Sequence, residues 1–220
     1  MSSADSHKVQ EFRNLRSLTN HWARPIEPPA YYWYLTFEHS TELQAAALRC
    51  RQAISFPYYD LTPVGDLHLT LDRIAFEGEL ADGQLAAIEA AARQACRNIA
   101  RFEITISLLG GVSGAIGFTA LPKQPIRDLK DVLRAATLSA YPDAPIRQSR
   151  FHPHVAIAYA NSDDVPAAEV ISAMEKLNAS AERADVAVNQ VTLVLLERRP
   201  RSYAWRAVTR MALGGQEYTP

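Results

Sequence analysis

Apolar and polar residues follow two different rhythms at the start of the folded part of the chain. The segment 31–38 (YYWYLTFE) is rich in aromatic residues, and the segment 66–76 (DLHLTLDRIAF) alternates apolar with polar residues. Each of these patterns predicts a strand. The segment 40–54 between them repeats apolar residues at helical spacing, so we expect a strand, a helix and a strand.

The middle of the chain carries an amphipathic helix followed by two strands. Residues 81–100 place leucine, isoleucine and alanine on one helical face. Residues 101–109 and 114–122 have the composition of strands, and the pair Gly110–Gly111 between them predicts a tight turn.

The next part of the chain alternates helix and strand again. Residues 126–141 predict a helix, residues 151–161 a strand, and residues 163–178 another helix. In this last helix Asp164 lies near the N-cap and Pro166 in the first turn, where both residue types are favoured.

Two more strands, over residues 190–198 and 203–213, complete a series that resembles an internal duplication. The order is β-α-β-α-β and then β-α-β-α-β-β, with a histidine-bearing strand in the middle of each half. Mixed elements of this kind predict an α+β fold. We expect an N-terminal arm over residues 1–30 and one unit over 31–220, with lobes near 31–110 and 111–220.

Composition excludes some partners. The hydrophobic fraction is 48% and the charged fraction is 21%, both ordinary for a soluble globular protein. The net charge of −1 argues against binding of long duplex nucleic acid. No apolar run reaches about 18 residues, so no membrane span is predicted. The N-terminal sequence lacks a secretory apolar core, and Cys50 and Cys96 form no CxxC pair. We therefore expect a cytoplasmic protein.

The two central strands carry the candidate chemistry. In LHLTL, His68 and Thr70 face the same side because alternate strand residues share a face. In PHVAIA, His154 faces the same side as Ala156. If the halves pack with pseudo-twofold symmetry, the two imidazoles face each other across a groove.

A pair of facing imidazoles suits in-line displacement at phosphorus. A neutral histidine can accept a proton from the attacking oxygen, and a protonated one can donate a proton to the leaving oxygen. The ordinary pKa of histidine, near 6.5, allows both forms at neutral pH. The Thr70 hydroxyl can donate a hydrogen bond to a phosphoryl oxygen.

The motifs HLTL (68–71) and HVAI (154–157) resemble the paired His-x-Thr/Ser-x signature of the 2H phosphoesterase superfamily, which includes LigT-like 2′-5′ RNA ligases and cyclic phosphodiesterases. The flanking segment PHVAIAYAN is similar to the corresponding segment of many bacterial members. By the order of its elements, the resemblance to the superfamily covers roughly residues 31–212. It implies a bilobal α+β fold whose two antiparallel sheets line a central groove, with helices outside. It also implies metal-independent chemistry without a cofactor on a nucleotide or RNA-end phosphodiester, with His68 and His154 as acid and base. The reactions would be opening of a 2′,3′-cyclic phosphate, or cleavage or formation of a 2′-5′ bond.

Ala156 departs from this signature because it lacks the hydroxyl, so only its backbone can contact a phosphate. Tyr159, Arg150 or His152 could supply the contact instead. Alternatively, the groove is a catalytically weakened site that binds a nucleotide or an RNA end. The sequence leaves both alternatives open.

Three further hypotheses concern side chains near the motifs. Arg73 and Arg150 could bind phosphate through two parallel hydrogen bonds. Tyr34 could stack on a base. His152 lies either in a loop facing solvent or beside His154, in which case three imidazoles with His68 would suit a zinc-dependent hydrolase. The sequence predicts no oligomeric state.

Overall fold

A computed structural model of the chain describes residues 12–146, 151–180 and 182–214. Within these ranges it contains nine strands and four complete α-helices. The strands are β1 (Ala30–Thr36), β2 (Tyr59–Leu61), β3 (His68–Phe76), β4 (Phe102–Val112), β5 (Ala115–Leu121), β6 (His154–Ala160), β7 (Arg183–Val188), β8 (Gln190–Arg199) and β9 (Ser202–Ala212). The helices are α1 (Thr41–Ala53), α2 (Gln84–Cys96), α3 (Lys123–Ala140) and α4 (Ala168–Ala179).

The strands form two antiparallel sheets that meet at the two histidine strands. The first sheet has the order β3-β1-β8-β9, and the second has the order β2-β6-β5-β4-β7. Strands β3 and β6 lie against each other where the sheets meet. The α+β fold with two antiparallel sheets is therefore confirmed.

Helices cover the outer faces of both sheets in an exchanged arrangement. Helices α2 and α3 pack together and against strands of the first sheet, whereas α1 and α4 contact strands of the second. The unit β1-α1-β3 and the unit β5-α3-β6 each build a pair of neighbouring strands and send the intervening helix to the other sheet. Because β8 and β9 pair beside β1, each sheet takes strands from both halves of the chain. The sheets therefore do not follow a division into 31–110 and 111–220.

The alternation within β1 separates the helix layer from the groove. Trp33 is fully buried towards the helices, and its indole N–H donates to the Thr137 hydroxyl of α3 at 3.0 Å. The buried carboxylate of Asp72 on β3 accepts a hydrogen bond from Arg134 of α3 at 2.8 Å. These contacts hold β1 and β3 against α3, while their opposite faces remain available to the groove.

Residues 12–30, the part of the N-terminal arm that the structure describes, pack onto the fold along the end of β6. Phe12 and Leu18 are buried, 2% and 1% exposed. The backbone N–H of Leu18 donates to the carbonyl of Val165, and that of His21 to the carbonyl of Ala160, both at 2.8 Å. The arm therefore has a fixed course beside the histidine strand of the second sheet.

The hairpin between β4 and β5 turns later than predicted. Gly110 and Gly111 are paired within the hairpin, and the turn lies at Ser113–Gly114. A Cβ on Gly111 would lie 2.3 Å from the carbonyl oxygen of Ala115 and 2.9 Å from the Phe12 ring. This glycine pair therefore serves close approach of the arm and the neighbouring strand, and the predicted turn there is wrong.

Helix α4 begins at Ala168, later than predicted, because the arm occupies the preceding segment. Asp164 has a positive φ of 57°, and its N–H donates to the carbonyl of Leu18 at 3.1 Å. Pro166 pairs with Ser17 in an isolated bridge. The predicted N-cap and first turn are therefore wrong, and the short strands β2 and β7 were not predicted.

Candidate active site

His68 is the first residue of β3 and follows a 3₁₀ turn over Val64–Asp66. Its Nδ1 lies 2.7 Å from the carbonyl oxygen of Asp66. A carbonyl oxygen can only accept, so Nδ1 carries the proton of the neutral ring. The Nε2 lone pair of His68 is consequently free of this contact.

His154 is held by the same local arrangement. It is the first residue of β6, and its Nδ1 lies 2.8 Å from the carbonyl oxygen of His152. Each imidazole is thus bonded to the carbonyl two residues earlier, and each presents Nε2 away from that contact. His152 supplies its backbone to this arrangement, and its side chain is half-buried.

The two imidazoles are electrostatically coupled across the junction of the sheets. Burial lowers the pKa of His68 to about 4, the Asp66 carbonyl opposes that shift, and the charge of His154 lowers the pKa further. His68 is therefore neutral at pH 7. His154 is exposed. The predicted pair of histidines is brought together, with different surroundings.

An aromatic shelf supports His68. The Tyr34 ring lies parallel to the imidazole, with centroids 4.2 Å apart and planes 5° apart. Tyr34 is 1% exposed and hydrogen-bonded to Thr70, its partner on the neighbouring strand. The Trp205 indole N–H donates to the Asp66 carbonyl at 3.3 Å. Tyr34, predicted as a substrate contact, thus lies beneath the imidazole of His68.

The second histidine has a threonine beside it on the adjacent strand. Thr119 of β5 pairs with His154, and Gly117 pairs with Ala156. Directly opposed residues in an antiparallel pair project from the same face, so the Thr119 hydroxyl lies on the His154 side. Thr119 is half-buried, and no hydrogen bond joins its hydroxyl to another described residue. The position of Thr119 beside His154 follows only from the register of β5 against β6. The motif around His154 could therefore not have predicted it.

A β-bulge on β6 brings Tyr159 to the groove face. Ile116 pairs with Ala158 and Gly117 with Ala156, so Ile157 is the extra residue. Plain alternation would place Tyr159 on the opposite face from His154, and the bulge reverses this. A Cβ on Gly117 would lie 2.6 Å from the β6 backbone, so glycine permits the close approach of the strands there.

A second bulge, at Leu71 on β3, determines where Arg73 points. It turns Asp72 towards the helices and places Arg73 opposite Tyr32 on the groove face. The Arg73 guanidinium packs over the Phe76 ring at 4.5 Å, and its Nη1 lies 3.8 Å from Glu27 of the arm. Its side chain is 11% exposed, so it is engaged by the arm.

A cleft of about 180 Å³ opens beside His68. Its lining combines the first motif with the arm and with tyrosines of β1, β6 and β9. Those members include His68, Thr70, Tyr32, Tyr34, Tyr159, Tyr203 and Arg24. The predicted contacts Tyr34 and Tyr159 thus share one cleft with the first motif.

A family model of the 2′-5′ RNA ligase superfamily matches residues 37–200, which include both histidine motifs. The chain belongs to the 2′-5′ RNA ligase superfamily. The resemblance to 2H phosphoesterases is therefore confirmed. No curated protein matches the chain by sequence.

Several solved structures share the fold. The protein TT0787 of Thermus thermophilus has a TM-score of 0.65 at 17% identity, over 86% of this chain and 100% of that chain. A structure described as a phosphoesterase gives 0.61 at 19%, over 84% and 99%. E. coli LigT complexed with 3′-AMP gives 0.58 at 17%, over 85% and 98%. At these identities the likeness concerns the fold.

The remaining sequence hypotheses concern a metal site, Arg150 and the membrane. Among the described residues, no three histidine, cysteine, aspartate or glutamate side chains are grouped as metal ligands, so His68, His152 and His154 do not form a three-imidazole site. Arg150 lies outside the described residues. In the described part of the chain, every helix is too short or too polar to span a bilayer.

Proposed function

We propose that this superfamily member is a metal-independent phosphodiesterase acting on a nucleotide or RNA-end phosphodiester, with His68 and His154 as the general base and acid. One observation carries the proposal. Both Nδ1 atoms are held by the carbonyl two residues earlier, which directs both Nε2 atoms away from that bond, an orientation suited to proton transfer at one phosphoryl group.

The different surroundings of the histidines support a division of roles in hydrolysis. Half-buried and neutral, His68 is suited to accept a proton from the attacking water. His154 is exposed, and we assign it the role of donating a proton to the leaving oxygen. Water adds to phosphorus, one P–O bond of the cyclic ester breaks, and the two protons pass through the Nε2 atoms. In the direction of bond formation the roles exchange.

Two hydroxyls, one from each half, are suited to hold the phosphoryl oxygens. Thr70 lies two residues after His68 on the same face, and it lines the cleft. Thr119 lies beside His154 on the adjacent strand and takes the place of the hydroxyl that Ala156 lacks. Hydrogen bonds of this kind strengthen as negative charge develops in the transition state.

The ligand class is a nucleotide. E. coli LigT has been solved in complexes with 3′-AMP, NADP+ and ATP. In this chain, the half-buried rings of Tyr159 and Tyr203 line the cleft beside His68. Aromatic faces at that position suit a base or ribose next to the reacting phosphate.

A second candidate function is nucleotide or RNA-end binding without efficient turnover. The observation that favours it is the pair Ala156 and Gly117, which leaves the second motif without a polar side chain at the position that Thr70 occupies in the first. Assaying Ala156→Thr beside the wild type separates the two candidates. Tight nucleotide binding by an inactive wild type would support the second.

The deciding experiment is a turnover screen with chelator present. The substrates are 2′,3′-cyclic nucleotides and 2′-5′-linked dinucleotides, assayed with wild type, His68→Ala and His154→Ala prepared identically. We expect wild-type activity that survives chelation and disappears in both variants. Loss of wild-type activity on chelation, or retention of it in either variant, would refute the proposal.

A further inference from the structure

The cleft beside His68 is partly built by the N-terminal arm. Arg24, Pro25, Glu27 and Pro28 line it together with His68. The superfamily match begins at residue 37, so these arm residues lie outside the matched region. This wall of the cleft is therefore a feature of this chain that the family assignment does not describe.

An arginine of β8 holds the backbone of the arm residues that line the cleft. The Arg198 guanidinium donates to the carbonyls of Trp22 at 2.8 Å and Arg24 at 2.7 Å, and also to that of Pro25. The Trp22 indole N–H donates to the carboxylate of Asp60 at 2.9 Å. These hydrogen bonds fix the backbone of residues 22–25. The Cα atom of Arg24 therefore has a defined position beside the cleft.

The guanidinium of Arg24 has no carboxylate partner among the residues that the structure describes. Its Nη2 donates to the Tyr203 hydroxyl at 2.6 Å and lies 3.3 Å from Nε2 of His21. Burial, followed by the charges of Arg24 and Arg198, lowers the pKa of His21 to about 4, so this neighbour is neutral at pH 7. Among the described residues, no carboxylate oxygen lies within 4.0 Å of Arg24.

The acidic residue of this lining is already engaged elsewhere. Glu27 lies 3.8 Å from the guanidinium of Arg73. Arg24 therefore lines the cleft with no carboxylate oxygen within 4.0 Å among the residues described, whereas the guanidinium of Arg198 is bonded to the arm carbonyls. The positive charge of Arg24 favours an anionic group in the cleft. Its planar N–H donors also match the geometry of a phosphate.

We infer that Arg24 binds a second phosphoryl group of the substrate, apart from the phosphodiester at the two histidines. This inference rests on the proposed function and deepens it. The substrate class is a nucleotide phosphorylated at two positions, such as a 2′,3′-cyclic phosphate that also carries a 5′-phosphate. The tyrosines that line the same cleft accommodate the ribose or base that joins the two groups.

The test measures binding, so it does not depend on turnover. Isothermal titration calorimetry at pH 7.5 with chelator compares 3′-AMP with adenosine 3′,5′-bisphosphate, the product-like ligands without and with the second phosphate. The proteins are wild type, Arg24→Gln, Arg24→Lys and the control Arg16→Gln. Arg16 is an exposed arginine of the same arm that does not line the cleft.

We expect wild type and Arg16→Gln to bind the bisphosphate on the order of 10- to 100-fold more tightly than 3′-AMP, as charged hydrogen bonds provide. Arg24→Gln should bind the two ligands equally, and Arg24→Lys should keep part of the preference. An equal Kd for both ligands in wild type, or a preference that persists in Arg24→Gln, would overturn the inference. A preference without turnover of any cyclic phosphate or 2′-5′-linked dinucleotide would refute the proposed function alone.

Discussion

The two histidine strands hold their imidazoles identically but surround them differently. In β3 the Asp66 carbonyl is bonded to Nδ1 of His68, and in β6 the His152 carbonyl is bonded to Nδ1 of His154. Tyr34 then stacks beneath His68, and Thr70 follows on the same face. The same Nδ1 hydrogen bond in both halves indicates that both histidines must carry their proton on Nδ1.

The second half lacks the bulky pair that supports the first. Gly117 and Ala156 occupy the paired positions that Tyr34 and Thr70 occupy in the first sheet. The imidazole of His68 is therefore half-buried and neutral, whereas that of His154 is exposed. From this comparison we infer that the first half holds the general base His68 in place. The second half leaves space beside His154 for the leaving or attacking group of the substrate.

The largest expected effect comes from removing either imidazole. His68→Ala and His154→Ala should each lower kcat for a 2′,3′-cyclic nucleotide by on the order of 10²–10⁴, because each removes a proton-transfer group. Similar losses are expected despite the different burial of the rings. Circular dichroism and the thermal midpoint check that both variants fold. A variant that folds and keeps the wild-type kcat would break the equivalence of the halves.

The next effect concerns the two hydroxyls. Thr70→Val and Thr119→Val should each lower kcat about 10- to 100-fold, because each removes a donor to the transition state. Thr105→Val, on the second sheet and bonded to Asp185, is the matched control and should leave kcat unchanged.

Ala156→Thr provides the complementary test. It should restore much of the activity lost in Thr119→Val, because it places a hydroxyl where the first motif has one. Steady-state kinetics of the two single variants and the double variant measure this rescue. If Thr119→Val behaves like the Thr105→Val control, Thr119 has no role in phosphate binding.

Burial of His68 also predicts an unusual pH dependence. The pKa of His68 is lowered from 6.5 to about 4, so this base stays neutral as the pH falls and becomes protonated only near pH 4. We therefore expect no loss of kcat/KM between pH 6.5 and 5, since kcat/KM reports the free enzyme. A base with the ordinary pKa of 6.5 would lose about 16-fold in kcat/KM over the same interval. Such a loss would show that His68 is not the base.

The smallest effect is expected from the hydroxyl of Tyr34. Tyr34→Phe keeps the stacked ring and removes only the bond to Thr70. A neutral hydrogen bond is worth about 0.5–1.5 kcal/mol, so kcat should fall no more than about tenfold. The acid limb of the pH profile should stay in place. A shift of that limb towards 6.5 would mean that the hydroxyl, and not the ring, controls His68.

Local pattern revealed the two motifs but could not reveal their neighbours. His68 and His154 stand out because similar short strand patterns recur in the two halves. Tyr159 reaches the groove only because Ile157 is an extra residue against β5, and a bulge depends on the partner strand. Thr119 is recognisable only from that pairing. Similarly, the fold class followed from the element order, whereas the exchange of helices between sheets depends on tertiary packing.

Imidazole ¹⁵N NMR during titration with 3′-AMP tests the central claim most directly. The claim is that His68 and His154 keep Nδ1 protonated and direct Nε2 to one phosphate. We expect the Nε2 resonances of both residues to shift together on binding while both Nδ1 atoms keep their protons; the two alanine variants provide the assignments. A shift of only one histidine, or an Nδ1 that loses its proton, would contradict the account.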